Sequence, residues 1–142
     1  MQVGVTTTAS PREQEQAMKK VLSVDDSGVM RRIIGRCVDM LGYGFLEASN
    51  GLEALDVIEK NHQDIALIIL DVNMPEMDGF EVLARLKAHA VFKALPVMML
   101  TTESERDKII KAIQAGAVNY ICKPFQQDDL AVKIAQSLGE GF

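Results

Sequence analysis

The sequence contains no tryptophan, only two cysteines and four prolines, and few aromatic side chains. Two cysteines in 142 residues cannot form a disulfide framework, so we expect Cys37 and Cys122 to be buried, reduced thiols. No stretch approaches the roughly 20 apolar residues of a membrane span, and the first residues lack the basic and apolar regions of a secretion signal. These absences predict a cytoplasmic protein without membrane insertion.

Positive charge is scarce as well. The net charge is −5 and the pI is near 5, and no block of Lys or Arg forms a local basic patch. An acidic surface does not attract nucleic acid or anionic membranes, so we expect no nucleic-acid partner. The length suits one domain with its own core, and we expect a monomer.

Composition divides the chain in two. Residues 1–17 are rich in Thr, Gln and Glu and have too few large apolar side chains to join a core, which predicts a flexible N-terminal leader. Residues 18–142 alternate apolar, strand-like runs with helix-like segments, which is the pattern of βαβ units. The second part is therefore predicted to be the folded domain.

Five apolar runs are predicted strands, at residues 20–24, 44–48, 65–70, 97–100 and 120–122. The third is the most uniformly apolar and is assigned to the centre of the sheet. Right-handed crossovers distribute the helices over both faces. The prediction is an α/β fold: a doubly wound five-stranded parallel sheet, strand order 2-1-3-4-5, in a three-layer α/β/α arrangement.

Helix starts carry capping signals, in which a side-chain acceptor stands three residues before an acid: Asn50 with Glu53, Asp78 with Glu81, and Thr102 with Glu105. Helix faces carry apolar stripes with a spacing of four: Val29, Ile33, Cys37 and Leu41 in the first helix, and Leu130, Ile134 and Leu138 in the last. Each stripe is expected to lie on the sheet.

Polar residues directly follow the apolar runs: Asp25 and Asp26, Asp71, Thr101, and Lys123. In a doubly wound sheet, ligands bind beyond the carboxyl ends of the strands, so these side chains are expected to converge on one site. Taken singly, each has a plainer interpretation as a helix cap or a solvated charge. Their shared position at strand ends favours a common function.

Three carboxylates brought together repel one another unless a cation is present. Ligands that are all oxygen, without nearby Cys or His, indicate a hard cation, and Mg²⁺ suits a partial protein shell completed by water and phosphate oxygens. Asp71 ends the most hydrophobic strand, where a carboxylate is costly, and a carboxylate can accept a phosphoryl group covalently. Asp71 is therefore the candidate nucleophile.

From about Lys19 to Leu138 the sequence resembles the receiver domains of two-component response regulators, most closely those of the chemotaxis type. The resemblance rests on the following motifs: Val-Asp25-Asp26-Ser, Arg31-Arg32-Ile33, Leu-Asp71-Val-Asn-Met-Pro75 with Asp78-Gly79, Leu-Thr101 with Glu103, Ala115-Gly116-Ala117, and Tyr120 before Lys123-Pro124-Phe125. It implies a flavodoxin-like fold and a signalling protein that catalyses only its own phosphorylation and dephosphorylation.

The resemblance also implies roles for single residues. Asp71 would receive a phosphoryl group from a histidine kinase, and Mg²⁺ would be held by Asp26, Asp71 and the Asn73 carbonyl, with Asp25 acting through a water molecule. Thr101 and Lys123 would contact phosphoryl oxygens, and the Lys123-Pro124 peptide bond would be cis. Movement of Thr101 and rotation of Tyr120 would switch a surface on the fourth helix, fifth strand and fifth helix that binds a flagellar motor switch protein or another target.

Other functions are weighed against this one. A haloacid-dehalogenase-like phosphatase needs a second Asp two residues after the nucleophile, where this chain has Asn73, and a flavodoxin needs a phosphate-cradling loop where it has Asp25 and Asp26. A relay intermediate or a receiver outside motility stays open. No DNA-binding segment follows Leu138, which argues against promoter binding.

Two positions bear on the lifetime of the phosphoryl group. Asn73 and Glu103 match the chemotaxis regulators in residue type, which implies rapid self-catalysed loss. Thr102 and Asn119 depart from those regulators, which hold Ala and Gly at these positions, so access to the phosphate and ease of the switch are expected to differ.

Overall fold

The computed structural model describes residues 19–102 and 106–139. The predicted leader, Glu103 and Glu105 lie outside these ranges, so the division of the chain near residue 18 stays a prediction.

One parallel sheet forms the middle of the described structure. Its strands are β1 (Lys20–Val24), β2 (Gly44–Ala48), β3 (Ile65–Asp71), β4 (Val97–Thr102) and β5 (Asn119–Lys123), in the order β2-β1-β3-β4-β5. The predicted fold class and strand order are confirmed. Three strands run further than predicted because backbone pairing continues past the apolar runs, with Asp71 beside Leu100 and Thr102 beside Lys123.

The described residues include five α-helices, of which the first four connect successive strands and the last follows β5: α1 (Gly28–Met40), α2 (Gly51–Asn61), α3 (Gly79–Lys87), α4 (Arg106–Gln114) and α5 (Gln127–Ser137). Two of the predicted caps are confirmed, since Asn50 accepts from the Glu53 amide at 2.8 Å and Asp78 from the Glu81 amide at 2.9 Å. Of the third predicted cap, only Thr102 lies within the described residues, and it is the last residue of β4.

The helices cover both faces of the sheet, which gives the predicted three layers. Alternate residues of β3 point to opposite faces: Leu67 and Ile69 join the core under α1 and α5, and Ile68 and Leu70 join the core under α2, α3 and α4. The central strand is therefore buried on both sides, which is why its sequence is a continuous apolar run rather than an alternating one.

The predicted stripe of α1 is wrong at Val29, whose residue surface is 63% exposed. The buried positions of this helix are Ile34, Cys37 and Val38. An α-helix completes a turn in about 3.6 residues, so a strict spacing of four drifts around the helix and leaves the sheet at one end. The stripe of α5 is confirmed, with Leu130 and Ile134 fully buried and Leu138 packed against the same core.

Candidate functional site

The predicted polar residues lie at the carboxyl edge of the sheet. Asp25 follows β1, Asp71 ends β3, Thr101 is the next-to-last residue of β4, and Lys123 ends β5. β3 pairs with both β1 and β4, and β4 pairs with β5, so three adjacent strand pairs bring these residues to one edge. In the structure these polar residues therefore lie together at the edge of the sheet where the sequence predicts them.

The three aspartates form one acidic cluster, in which carboxylate oxygens of Asp25, Asp26 and Asp71 lie within 4.8 Å of one another. Asp25 and Asp71 are almost completely buried, at 0% and 3% exposure, whereas Asp26 is exposed. Oxygen donors of this kind, open to solvent on one side, fit a hard divalent cation that keeps part of its water shell. The residues present thus suit Mg²⁺.

Local hydrogen bonds hold Asp25 in place. Its Oδ1 accepts from the Ser27 backbone N–H at 2.9 Å, and its backbone carbonyl accepts from Arg31 Nη1 at 2.5 Å. Arg31 in turn forms an ion pair with Glu47 of β2, with 3.0 Å between Nε and Oε1. The Arg31 side chain in α1 therefore ties the loop after β1 to the neighbouring strand.

Lys123 bridges the two buried carboxylates. Its Nζ lies 3.2 Å from Asp71 Oδ1 and 3.3 Å from Asp25 Oδ2, and its side chain is 26% exposed. One ammonium cannot balance three carboxylates, so the cluster keeps an excess of negative charge when no cation is bound. The peptide bond that follows Lys123 is cis, as the resemblance implied.

Burial is the main reason that the pKa of Asp71 is raised to about 6, and the charge of Asp25 raises it further. Lys123 and the backbone N–H of Asn73 lower the pKa but do not restore the usual value. A carboxylate in this position is poorly solvated and close to a like charge, which is the environment of many reactive carboxylates.

Thr101 and Tyr120, the two predicted switch residues, lie on adjacent strands. Thr101 is 1% exposed and its hydroxyl donates to the Cys122 sulfur at 3.5 Å. Tyr120 is half-buried on the face covered by α2, α3 and α4, with Lys133 Nζ 4.8 Å from its ring centroid. Cys122 is half-buried rather than buried, which corrects that part of the prediction.

Asn73 is placed by two contacts. Its backbone N–H donates to the Asp71 carboxylate, and its side-chain Oδ1 accepts a hydrogen bond from Lys108 Nζ of α4 at 3.0 Å. Nothing in the sequence around Lys108 indicates a contact with a residue 35 positions away. Lys108 and Cys122 are the residues near the site that sequence reasoning missed.

Gly79 allows the first turn of α3 to pack directly behind the site. Its N–H donates to the Val72 carbonyl at 3.0 Å, and a Cβ at this position would lie 2.9 Å from the Val72 Cα and collide with the Asp71 carbonyl oxygen. Only glycine permits this approach without moving the backbone that carries Asp71.

Comparison with known proteins identifies the family to which a domain with this fold and this acidic cluster belongs. The family model described as "Response regulator receiver domain" matches residues 21–135. The chain belongs to the response regulator receiver family. Receiver domains are signalling domains rather than conventional enzymes, and they bind Mg²⁺ at an acidic pocket, which corresponds to the cluster of Asp25, Asp26 and Asp71.

The match to this chain extends over nearly the whole length of individual relatives. A chemotaxis protein CheY homolog of Campylobacter jejuni is 43% identical over 123 residues, 86% of this chain and 94% of the relative. Chemotaxis protein CheY1 of Helicobacter pylori is 42% identical over 121 residues, 84% and 97% of the two chains. The crystal structure of Vibrio cholerae chemotaxis protein CheY4 matches with a TM-score of 0.75 and 36% identity, covering 86% of this chain and 99% of that one.

Within residues 19–102 and 106–139, no helix combines the length and the apolar character needed to cross a bilayer.

Proposed function

We propose that this receiver is a chemotaxis-type response regulator that accepts a phosphoryl group on Asp71 from a phosphohistidine of a histidine kinase in the cytoplasm. The observation that carries the proposal is the position of Asp71: a buried carboxylate, 3.2 Å from the Lys123 ammonium, within a cluster of three aspartates. The printed names of the similar proteins support a chemotaxis output.

In the proposed transfer, an Asp71 carboxylate oxygen attacks the phosphorus atom of the phosphohistidine. A new P–O bond forms, the P–N bond breaks, and the histidine nitrogen leaves with the electron pair. Lys123, already paired with Asp71, is positioned to contact a phosphoryl oxygen as negative charge moves onto the receiver. Thr101 would supply a neutral donor from the adjacent strand.

Asp26, Asp71 and the backbone carbonyl of Asn73 would hold Mg²⁺, with Asp25 acting through a water molecule. The bound ion would supply positive charge that offsets the carboxylates and the incoming phosphoryl oxygens. The proposal is supported by the three carboxylates within 4.8 Å of one another and by the exposure of Asp26.

The proposed output is a change in a protein-binding surface formed by α4, β5 and α5. Movement of Thr101 toward the phosphoryl group would free space for Tyr120, whose ring is only half-buried. Apolar side chains are exposed on or beside this surface, with exposures of 49% for Ile110, 55% for Ile113 and 54% for Val118. Such side chains suit a protein target, for which we propose a flagellar motor switch protein.

Phosphorylation by a small-molecule donor tests the acceptor. With Mg²⁺ and phosphoramidate, we expect the parent protein to gain the mass of one phosphoryl group and Asp71→Asn to gain none. Asp78→Asn is the matched control, because it changes an acid in the same loop but keeps a side chain that caps α3. Equal labelling of Asp71→Asn and the parent would show that Asp71 is not the acceptor.

A further inference from the structure

The contact between Lys108 and Asn73 joins α4 to the loop that follows the proposed acceptor. Lys108 lies in the first turn of α4, and its Nζ donates to Asn73 Oδ1 at 3.0 Å. A hydrogen bond from an ammonium is charge-assisted and stronger than one between neutral groups. The Asn73 amide is therefore held with its oxygen turned toward α4.

Asn73 stands at the edge of the site. Its backbone N–H donates to the Asp71 carboxylate, so its side chain leaves the backbone beside the atoms that would carry the phosphoryl group. A cavity of about 470 Å³ opens at this point, and its lining includes Asn73, Asp78, Phe80, Lys108 and Lys111. Water can therefore reach the Asn73 amide, next to the loop that carries the acceptor, from this cavity.

Loss of the phosphoryl group requires such a water molecule. Its oxygen attacks phosphorus, the P–O bond to Asp71 breaks with the electron pair returning to the carboxylate, and both protons of the water leave on the released inorganic phosphate. A carbonyl oxygen that accepts a hydrogen bond from the attacking water can align it for this step. The Asn73 amide oxygen is a group of this kind, but in this structure it is bonded to Lys108.

We propose that Lys108 is a positioning residue that slows self-catalysed dephosphorylation by holding the Asn73 amide oxygen away from the attacking water. The inference rests on the proposed function, because it concerns the phosphoryl group on Asp71. An asparagine at position 73 implies rapid loss of the phosphoryl group from Asp71, and the contact with Lys108 lowers the rate of that loss in this chain. Since a carbonyl oxygen has two lone pairs, the restraint is partial and the effect is a modest change in rate.

The decisive variant is Lys108→Met, which keeps an unbranched side chain of similar length but removes the donor. The full-length protein is loaded with phosphoramidate and Mg²⁺, the donor is removed by rapid desalting, and the decay of the phosphorylated mass is followed over time. We expect decay about fivefold faster than in the parent, the change that corresponds to one hydrogen bond of about 1 kcal/mol.

Two further variants separate positioning from a general effect of charge. Lys111→Met removes the same charge from the same helix and the same cavity wall, where Lys111 Nζ lies 4.3 Å from the Phe80 ring centroid. It is expected to decay at the parent rate. In an Asn73→Ala background, Lys108→Met is expected to change nothing further, because the restrained amide is gone.

The outcomes separate the inference from the function on which it rests. A parent protein that never gains a phosphoryl group overturns the proposed function. If the parent protein is phosphorylated normally, three results overturn the inference. They are that Lys108→Met loses the phosphoryl group no faster than the parent, that Lys111→Met accelerates the loss equally, or that the effect of Lys108→Met persists without the Asn73 side chain. Far-ultraviolet circular dichroism and the thermal midpoint show that each variant is folded.

Discussion

Thr101 and Cys122 are partners across β4 and β5, and the Thr101 hydroxyl donates a hydrogen bond to the Cys122 sulfur at 3.5 Å. A buried hydroxyl needs a partner, and sulfur is a weak acceptor. In the proposed switch, Thr101 would exchange this acceptor for a phosphoryl oxygen, which is a stronger one. The Cys122 thiol is therefore placed to set how firmly the unphosphorylated form holds Thr101.

Cys122→Val removes this acceptor. We expect the variant to bind beryllofluoride, a mimic of the phosphoryl group, about threefold more tightly than the parent in the presence of Mg²⁺, since less energy is spent in freeing Thr101. Cys122→Ser keeps an acceptor and is expected to bind no more tightly than the parent. Isothermal titration calorimetry measures all three, and equal affinities would show that the thiol does not restrain Thr101.

The raised pKa of Asp71 predicts how stability depends on pH without metal. Between the roughly 3.9 of an unfolded chain and the value of about 6 in the fold, the folded protein binds more protons than the unfolded one. The free energy of unfolding should therefore fall as pH rises from about 4 to about 6, by on the order of 3 kcal/mol, and stay lower above that range.

Asp71→Asn isolates this contribution, because an amide does not titrate. In urea titrations with EDTA, the stability of the variant relative to the parent should increase from pH 4 to pH 7 and then level off. Any cost of the substitution that is independent of pH appears as a constant offset. A difference that stays flat over this range would contradict the assigned pKa.

Much of the fold could be predicted because each local signal agreed with the architecture. The run from Ile65 to Leu70 is apolar on both faces, which predicts a central parallel strand. Asn50 and Asp78 predict helix starts because their side chains satisfy amides only three residues away. Strand ends were less predictable, since backbone pairing carries β4 through Thr101 and Thr102, polar residues that resemble the start of a loop.

The site was predictable only as far as topology determines it. Strand order alone brings Asp25, Asp71 and Lys123 to one edge. The contact of Lys108 with Asn73 depends instead on how α4 is oriented over the loop after β3, and the contact of Thr101 with Cys122 depends on a rotamer. Neither orientation leaves a pattern in the sequence.

Magnesium should stabilise the folded protein by relieving repulsion in the acidic cluster. At a Mg²⁺ concentration ten times the Kd, the gain is about 1.4 kcal/mol, and for a domain of this size it should raise the Tm by about 3–6 °C. Asp26→Asn should lose most of this shift. Asp56→Asn, which changes an exposed acid paired with Lys60 on α2, should keep it. Differential scanning fluorimetry with and without Mg²⁺ measures both, and an unchanged parent Tm would argue against the metal site.

Gly79→Ala tests whether the close approach of α3 positions the acceptor. The added methyl group would meet the Asp71 carbonyl oxygen and lie 2.9 Å from the Val72 Cα, and both are backbone atoms that cannot turn aside. We expect a loss of about 1–3 kcal/mol in the free energy of unfolding and slower phosphorylation, because the strand end that carries Asp71 must shift.

Gly28→Ala is the control for this substitution. Gly28 also begins a helix, but its nearest neighbour would be the flexible end of Arg31 at 3.6 Å. That variant should be as stable as the parent or slightly more stable, since alanine favours the helix. If Gly79→Ala unfolds at the same urea concentration as Gly28→Ala and is phosphorylated at the parent rate, the loop has room to move. The packing of α3 then does not hold Asp71 in place.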